Sequence, residues 1–240
     1  MSNVYRSSVQ PRVLILYFSL SGQTRGLVNL FAAGLRSRGV SVTIEQIRPQ
    51  EKIGFPLGSI LRTLIMMLRT FFRARVPILP PSRCCFTGYD LIVLAGPTWS
   101  YNPSGPVLSL LDRYGHDLFT DRRVLPLISC RGYYRWHNLV LNRSLRRFTD
   151  TVDESIIFCH PSPEPWSTIG VFLKAAGCRP ERRAVLGTYY RHHGHSREQL
   201  LAIRDRGVTI GQELMRRLVL TDAGHATGSS SPVGRPAHDR

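Results

Sequence analysis

The segment Arg12–Thr24, RVLILYFSLSGQT, decides the fold of this 240-residue chain. It opens with an unbroken aliphatic and aromatic run, Arg12–Phe18, which is typical of a strand buried on both faces of a sheet. A polar loop follows, and from about Thr24 to Ser37 the apolar residues recur at helical spacing. The stretch Val40–Ile47 then alternates between apolar and polar residues, as a strand does. This order predicts two parallel strands joined by a right-handed crossover helix.

Two more buried strands continue this pattern, Tyr89–Ala95 (YDLIVLA) and Arg123–Ser129 (RVLPLIS). Helical patterns follow them, the first from near Pro106 and the second over His137–Phe148. Strands that alternate with helices predict a doubly wound α/β sheet.

The remainder of the chain is harder to assign. The acidic, proline-rich segment 150–165 predicts a short strand and then a loop, and a helix is expected over 166–176. We predict the last strand at Arg183–Tyr189 and the final helix over Arg197–Leu218.

The domain organisation follows from these elements. We predict a polar N-terminal arm over 1–11, a single domain over 12–220 with an insertion at 50–82, and a tail over 221–240. The composition of that tail, rich in Gly, Ser and Pro, is typical of disorder.

The chain is strongly basic, with 32 Lys+Arg against 16 Asp+Glu and a net charge of +16. Only Lys52 and Lys174 are lysines, so arginine supplies nearly all of this charge. Two explanations of this excess positive charge remain open. The first is solvated faces rich in arginine, and the second is an anionic partner, such as a phosphorylated cofactor, nucleic acid or an acidic lipid surface. Because helix-turn-helix, zinc-finger and RNP-type signatures are absent, we do not expect a nucleic-acid partner.

The cysteines and histidines give no metal signature. The five cysteines are odd in number and form no CxxC pair, which argues against a disulfide framework and a zinc site. His192, His193 and His195 have no carboxylate or cysteine spaced to join them, so we expect a polar loop there. With no arginine-free apolar span of membrane length and no signal-peptide core, we expect a cytoplasmic protein.

The loop after the first strand, Ser19–Thr24, is the strongest candidate for a binding site. It places the hydroxyls of Ser19, Ser21 and Thr24 beside Gly22 at the start of a helix, where free N–H groups and the helix dipole favour a phosphate. An ordinary helix cap is the alternative. The position between a buried strand and a helix favours the phosphate site. G-x-G-x-x-G and Walker A patterns are absent.

These residues resemble the flavodoxin phosphate loop, S/T-x-T-G-x-T, with Ser21 where threonine is usual. The resemblance follows the order of elements over about 12–218, and its other distinctive part is YDLIVLAGPTW at Tyr89–Trp99. It implies a flavodoxin-like, doubly wound, five-stranded parallel sheet of order 2-1-3-4-5, with an amphipathic helical insertion after strand 2. It also implies FMN as the cofactor, at the switch point of the sheet.

By the same resemblance, the flavin ring lies between the loops after strands three and four. Trp99, Tyr101 and Tyr133 are then expected to flank the ring; the alternative is that Trp99 and Trp136 only cover the ends of the sheet. The expected FMN-binding residues are Ser19, Ser21, Gly22, Gln23, Thr24, Pro97, Thr98, Trp99, Tyr101, Asn102, Cys130, Arg131, Gly132 and Tyr133.

A narrower resemblance concerns three short motifs. The pattern W-x-x-x-P-S-x-P-V of Trp99–Val107, the S-C-R of Ser129–Arg131 and Phe55-Pro56 are similar to one subgroup of flavodoxin-fold proteins, known as dialkylresorcinol condensing enzymes. That name implies condensation chemistry. The Cys-His-His or Cys-His-Asn site of ketosynthase-type enzymes is not visible in this sequence.

The segment 59–73 predicts an amphipathic helix. Its apolar residues Leu61, Leu64, Ile65, Leu68 and Phe72 recur at helical spacing, and Arg62, Arg69 and Arg73 share the other side. Three interpretations remain open: a core-packing helix with solvated arginines, a lid or entrance wall for an apolar substrate, and a helix on a membrane surface.

The functional hypotheses follow from the resemblance. The first is an FMN-dependent oxidoreductase, with NAD(P)H or a partner protein as reductant and a small apolar or aromatic molecule as acceptor. Arg131 and Arg135 are candidates for the phosphate of a nicotinamide cofactor or for an acidic substrate, and Cys130 is a candidate reactive thiol. Solvated charge for the arginines and a small buried residue for Cys130 are the alternatives, and the sequence favours them. The alternatives are a flavodoxin-type electron carrier and a flavin-free accessory protein. A homodimer is compatible with each, and no catalytic residue is assigned.

Overall fold

The computed structural model describes residues 10–182, 184–190 and 194–227. The strands are β1 (Arg12–Tyr17), β2 (Ser41–Gln46), β3 (Leu91–Trp99), β4 (Asn102–Pro103), β5 (Val124–Cys130) and β6 (Ile156–Cys159). The helices are α1 (Gln23–Arg36), α2 (Ile60–Phe71), α3 (Gly105–Phe119), α4 (Tyr134–Leu145), α5 (Trp166–Ala175), α6 (Ala184–Tyr189) and α7 (Arg197–Thr227).

The parallel strands lie in the order β2-β1-β3-β5-β6, and the two-residue β4 pairs antiparallel with the end of β3. With β4 taken as part of a hairpin, this is the order 2-1-3-4-5 of the flavodoxin-like fold, and the predicted fold class is confirmed. The chain runs from β1 to the edge strand β2 and then crosses back to β3. The carboxyl ends of β1 and β3 therefore flank a topological switch point, where ligands of such sheets bind.

The central strand β1 is buried on both faces, as its unbroken apolar sequence predicts. Val13 and Ile15 pack in one hydrophobic cluster with α1 and α7, while Leu14 and Leu16 pack in another with α3 and α4. Because side chains alternate across a strand, an all-apolar strand needs helices on both sides. The two helical layers fix the sheet, and so they fix the loops at its carboxyl edge.

The predicted last strand, Arg183–Tyr189, is wrong. Ala184–Tyr189 forms the short helix α6, and the edge position beside β5 is taken by β6, in register from Leu127↔Ile156 to Cys130↔Cys159. Val185 is 68% exposed, so this apolar run does not join the core. An apolar run of four to eight residues does not separate strand from helix by periodicity alone, and pairing with β5 decided between the two segments.

The last helix extends further than expected. It continues past Leu218 to Thr227, into the segment predicted as a tail, because no proline interrupts it before that point. The residues beyond Thr227, and 1–9 of the predicted arm, lie outside the described residues. In the described part of the chain, no helix combines the length and the hydropathy that crossing a membrane requires.

Candidate functional site

A small cavity lies at the switch point, among the loops that follow β1, β3 and β5. Its volume is about 110 Å³, and we call it the switch-point cavity. Two helices from outside the sheet, α2 and α5, complete its wall. Its lining residues are Ser19, Leu20, Ser21, Gln23, Thr24, Phe55, Thr63, Met66, Met67, Thr70, Pro97, Thr98, Trp99, Ser100, Ser129, Cys130, Arg131, His160, Val171, Phe172 and Ala175.

The loop after β1 presents unpaired backbone amides to this cavity. Gly22 caps α1 with a left-handed backbone (φ 87°), which glycine adopts at little cost. The amide of Arg25 donates to Ser19 Oγ at 3.3 Å. Within the described ranges, the amides of Ser21, Gly22 and Thr24 donate to no protein acceptor. Free amides at the positive end of a helix dipole form an anion-binding site.

The hydroxyls of this loop add further donors. Thr24 is only 1% exposed, yet its hydroxyl has no hydrogen-bond partner among the described residues. The Ser21 hydroxyl, which also lines the cavity, likewise has none in the described part of the chain. Neither hydroxyl is among the fully buried unpaired atoms, so both remain accessible and can donate to a ligand in the cavity. These groups favour an occupant that accepts hydrogen bonds.

Arg131 places a positive charge in the same cavity. Its guanidinium is partly buried and forms no ion pair with any side chain in the described ranges. Burial lowers the pKa of Arg131, and the nearby Glu164 carboxylate acts in the opposite direction. A partly desolvated arginine that makes no direct ion pair strengthens the preference for an anion, although Glu164 offsets part of its charge.

The loop after β3 is a tight hairpin. Trp99 and Asn102 pair across it, and the two residues between them, Ser100 and Tyr101, have φ of 42° and 69°. Two residues with positive φ are the signature of a type I′ turn. The turn directs Trp99 inward, where it is 8% exposed and contacts Phe18 edge-on, with ring centroids 5.4 Å apart.

The structure brings most of the predicted site residues together. The cavity is lined by Ser19, Ser21, Gln23, Thr24, Pro97, Thr98, Trp99, Cys130 and Arg131. Gly22, between the lining residues Ser21 and Gln23, caps α1 but does not itself line the cavity. The sequence pattern of three strand-to-loop junctions was enough to assemble this set, because parallel strands end at one edge of the sheet.

Tyr101, Asn102, Gly132 and Tyr133 do not line the cavity. Tyr101 and Tyr133 are exposed and pack edge-on against each other at 5.4 Å. Asn102 is 3% exposed and caps α2, with Nδ2 donating to the carbonyls of Thr70 and Phe71. The structure therefore places these four residues outside the cavity wall, and their contact with FMN stays a prediction.

Two other aromatic and basic candidates also lie outside the cavity. Trp136, on the first turn of α4, is half-exposed, and the Arg73 guanidinium lies 5.8 Å from its ring centroid. Arg135 is exposed on α4. Neither residue lines the switch-point cavity.

Cys130 and Cys159 form a close thiol pair at the cavity wall. They are register partners on β5 and β6, and their Sγ atoms lie 3.2 Å apart. The hydrogen bond between the two thiols lowers the pKa of Cys159 to about 7, and the same hydrogen bond, with burial, raises the pKa of Cys130. The contact therefore favours the thiolate form at Cys159 and the thiol form at Cys130. The sequence placed Cys130 at the site but gave no signal that Cys159 is its neighbour.

The residues that sequence reasoning missed come mainly from α2 and α5. Thr63, Met66, Met67 and Thr70 face the cavity from α2, and Val171, Phe172 and Ala175 face it from α5. A weak signal existed in α2, since Thr63 and Thr70 lie seven residues apart on the side opposite the leucines. Nothing in the sequence indicated that α5 reaches this end of the sheet.

A larger cleft of about 590 Å³ lies on the other side of α2, and we call it the lateral cleft. It shares Met66, Thr70 and Trp99 with the switch-point cavity, so these side chains separate the two spaces. Its lining includes four basic residues and one acidic residue: Lys52, Arg62, Arg69, Arg75 and Glu51. Apolar side chains such as Ile53, Leu57 and Val76 complete it.

Of the three histidines in the predicted polar loop, His192 and His193 lie outside the described residues. His195 Nε2 lies 2.9 Å from Ser129 Oγ, and its ring contacts Phe158 edge-on. Within 10–182, 184–190 and 194–227, no three His, Cys, Asp or Glu side chains are grouped to hold a metal ion.

Comparison with solved structures finds flavodoxin-like flavoproteins. The chain resembles the flavodiiron protein from Giardia intestinalis at 13% identity and a TM-score of 0.49, over 88% of this chain and 38% of that protein. It resembles a flavoprotein in complex with FMN from Lactobacillus acidophilus NCFM at 19% identity and a TM-score of 0.46, over 61% and 92% of the two chains. A WrbA-like flavodoxin from Agrobacterium tumefaciens matches at 12% identity and a TM-score of 0.43, over 86% and 99%.

The chain thus spans little more than a third of the length of the flavodiiron protein. It matches no protein-family model and no curated protein sequence. At these identities and TM-scores, none of the matches identifies a cofactor, an activity or the narrower subgroup for this chain.

Proposed function

We propose that this chain is an FMN-binding flavoprotein that holds the phosphate of the cofactor at the loop after β1. The observation that carries the proposal is the set of unpaired donors at the switch point: the amides of Ser21, Gly22 and Thr24 and the Thr24 hydroxyl. Together with the Arg131 charge, these groups match a dianionic phosphate monoester. The flavodoxin-like strand order supports a ligand at this edge.

The residues fit the phosphate end of FMN better than its ring. The switch-point cavity, at about 110 Å³, is well below the range of roughly 300–1,000 Å³ that small-molecule ligands occupy. The side chains of α2 and α5 fill the space around it. We therefore assign only the phosphate to named donors, and we infer that α2 or α5 shifts outward when a ring enters.

The chemistry of such a protein belongs to its cofactor: bound FMN supplies hydride or single-electron transfer. The contributions of this chain are to bind the phosphate, to wall the site with Trp99 and to exclude water with Met66 and Met67 of α2. NAD(P)H or a partner protein is the proposed reductant. Net charge argues against a flavodoxin-type carrier with an acidic docking surface, because this chain is +16.

We propose the lateral cleft as the site of the acceptor. Its volume of about 590 Å³ suits a small molecule, and only Met66, Thr70 and Trp99 separate it from the switch point. Apolar walls with an excess of positive charge favour an apolar or aromatic acceptor that carries a negative group. Transfer across a thin wall requires that donor and acceptor approach closely, which this arrangement permits.

The test compares FMN with riboflavin, which lacks the phosphate. We expect the purified protein to bind FMN, with a perturbed absorption spectrum retained after desalting, and to bind riboflavin at least about tenfold more weakly. Thr24→Val should weaken FMN by about tenfold and leave riboflavin unchanged, because only the phosphate accepts from that hydroxyl. Thr209→Val, an exposed threonine on α7, is the matched control. Equal affinities for the two flavins would remove the assignment.

The small volume of the switch-point cavity also supports a second candidate, a flavin-free binding protein that uses the same donors for a smaller anion. In that case the purified protein does not retain FMN, and inorganic phosphate binds to the donors of the loop after β1. Isothermal titration with phosphate and with FMN separates the two candidates, since the second predicts heat of binding for phosphate alone. If FMN is retained, turnover of NAD(P)H by the loaded protein distinguishes an oxidoreductase from an electron carrier.

A further inference from the structure

Helix α2 presents its apolar face to solvent. Thr63 and Thr70 are 1% and 5% exposed and face the protein. The large apolar side chains are between 49% and 71% exposed: Ile60, Leu61, Leu64, Ile65, Leu68, Phe71 and Phe72. This arrangement excludes the interpretation of 59–73 as an ordinary core-packing helix, since such a helix buries its leucines.

Specific hydrogen bonds hold α2 in this orientation. Thr70 Oγ1 contacts Ser100 Oγ at 2.8 Å, and Ser100 Oγ donates to the Met67 carbonyl at 2.9 Å. Asn102 Nδ2 donates to the carbonyls of Thr70 and Phe71, the last residues of the helix. Rotating α2 to bury its leucines would break these bonds and leave buried polar groups unpaired. The outward apolar face is therefore a stable feature of the fold.

The segment that carries this face has charges of one sign. At 100° per residue, the exposed apolar side chains of α2 cover an arc of about 140°, and Arg62 and Arg69 lie along one edge of it. The segment 52–89 contains six Lys or Arg residues and no Asp or Glu. Lys52, Arg62 and Arg69 form no ion pair among the described residues.

This charge pattern selects the partner. A second copy of the chain, docked through the same face about a two-fold axis, would bring the arginines of both helices together without counter-ions. An anionic lipid surface suits both kinds of side chain. Its acyl region buries the apolar side chains, and its headgroups pair with the arginines, whose stems extend along the acyl chains. Juxtamembrane basic residues are attracted to such surfaces.

We propose that α2 docks flat on an anionic lipid bilayer, with its exposed leucines and phenylalanines in the acyl region and Arg62 and Arg69 at the phosphates. The docking would place the lateral cleft, which α2 borders, at the membrane surface, where an apolar molecule can enter from the lipid. The membrane contact itself does not depend on FMN binding, so the two proposals succeed or fail separately.

Vesicle flotation tests the proposal. The full chain is mixed with vesicles of phosphatidylcholine alone, or with about 30% phosphatidylglycerol, at physiological salt. We expect flotation with the anionic vesicles only. Replacing Leu64→Ser and Leu68→Ser should reduce the bound fraction at least about tenfold, and Arg62→Gln with Arg69→Gln should remove the preference for anionic lipid.

The matched control is Leu201→Ser with Val219→Ser, two exposed apolar residues on α7, which should float as the unchanged protein does. All six altered positions are exposed, so the circular dichroism spectrum and melting temperature of each variant should match those of the unchanged protein. Absence of flotation of the unchanged chain with anionic vesicles overturns the proposal. So does a homodimer in light scattering that the Leu64→Ser, Leu68→Ser variant dissociates, because a second copy then covers the face.

Discussion

Gly34 on α1 and Gly207 on α7 lie against each other where the two helices cross, with neither able to accept a side chain. A Cβ on Gly34 would collide with the Arg204 carbonyl oxygen and lie 2.9 Å from the Val208 amide nitrogen, and a Cβ on Gly207 would collide with the Phe31 carbonyl oxygen. This close approach holds α7 along α1, the helix whose first residues form the proposed phosphate site.

Adding one methyl group at this crossing should separate the helices. We expect Gly34→Ala to destabilise the protein by about 2 kcal/mol, because the obstructing atoms belong to backbone and cannot move aside. Gly26→Ala, in the same helix with no atom within 4 Å of the added carbon, should stabilise it by about 0.5–1 kcal/mol through helix propensity. Urea unfolding measures the free energy of unfolding of both variants. Equal effects of the two substitutions would contradict the close contact between α1 and α7 at Gly34.

Asn102 should determine how firmly α2 is held. Asn102→Asp keeps the size of the side chain but removes the Nδ2 donor, which serves the carbonyls of Thr70, Phe71 and Ser100 at 3.1–3.3 Å. We expect amide hydrogen exchange in α2 to accelerate about tenfold. Asn142→Asp, which removes a comparable donor on α4, is the control and should leave exchange in α2 unchanged. Unaltered exchange in the Asn102→Asp variant would show that other contacts fix the helix.

His137 should make stability fall with acid. It is 1% exposed, its Nδ1 lies 2.7 Å from Thr98 Oγ1, and burial lowers the pKa of His137 from 6.5 to about 3. Above pH 6.5 both the folded and unfolded states are neutral at this residue. Between pH 6.5 and 3 only the unfolded state takes up the proton, so stability decreases as the pH falls, by up to about 1.4 kcal/mol per unit.

The comparison that isolates this effect is His137→Asn, whose amide replaces the Nδ1 contact but does not titrate. Chemical unfolding between pH 7 and 4 should show a shallower loss of stability for this variant. His116→Asn, at an exposed histidine on α3, should retain the full slope of the unchanged protein. Identical slopes for the His137→Asn variant and the unchanged protein would mean that His137 is protonated in the folded state.

The thiol pair predicts a pH-dependent reactivity at the site. Because the contact with Cys130 lowers the pKa of Cys159 to about 7, alkylation of Cys159 by iodoacetamide should have its midpoint near that pH. In the Cys130→Ala variant this contact is gone, and the midpoint should rise toward the ordinary value of 9.0. Short alkylation at several pH values, followed by peptide mass spectrometry, gives both midpoints. A midpoint that is the same in both proteins would show that the sulfurs do not share a proton.

Much of the site could be predicted because it depends on order along the chain. Ser21, Gly22 and Thr24 follow the first strand, and Trp99 and Arg131 follow two others, so a parallel sheet brings them together whatever the details of packing. Cys159 and the inward face of α2 could not be predicted in this way. Their positions depend on which segment pairs with β5 and on how a helix outside the sheet is rotated about its axis.

By itself, the sequence determined the alternation of strands and helices, the hydroxyl- and glycine-containing loop Ser19–Thr24 and the amphipathic pattern of 59–73. These are local properties, set by side-chain periodicity and by the chemistry of adjacent residues. Only the tertiary structure decided that β6 takes the edge position predicted for Arg183–Tyr189, and that α2 buries its threonines and exposes its leucines. Periodicity defines two faces of a helix, but the side that meets the protein is set by long-range hydrogen bonds, here those of Ser100 and Asn102.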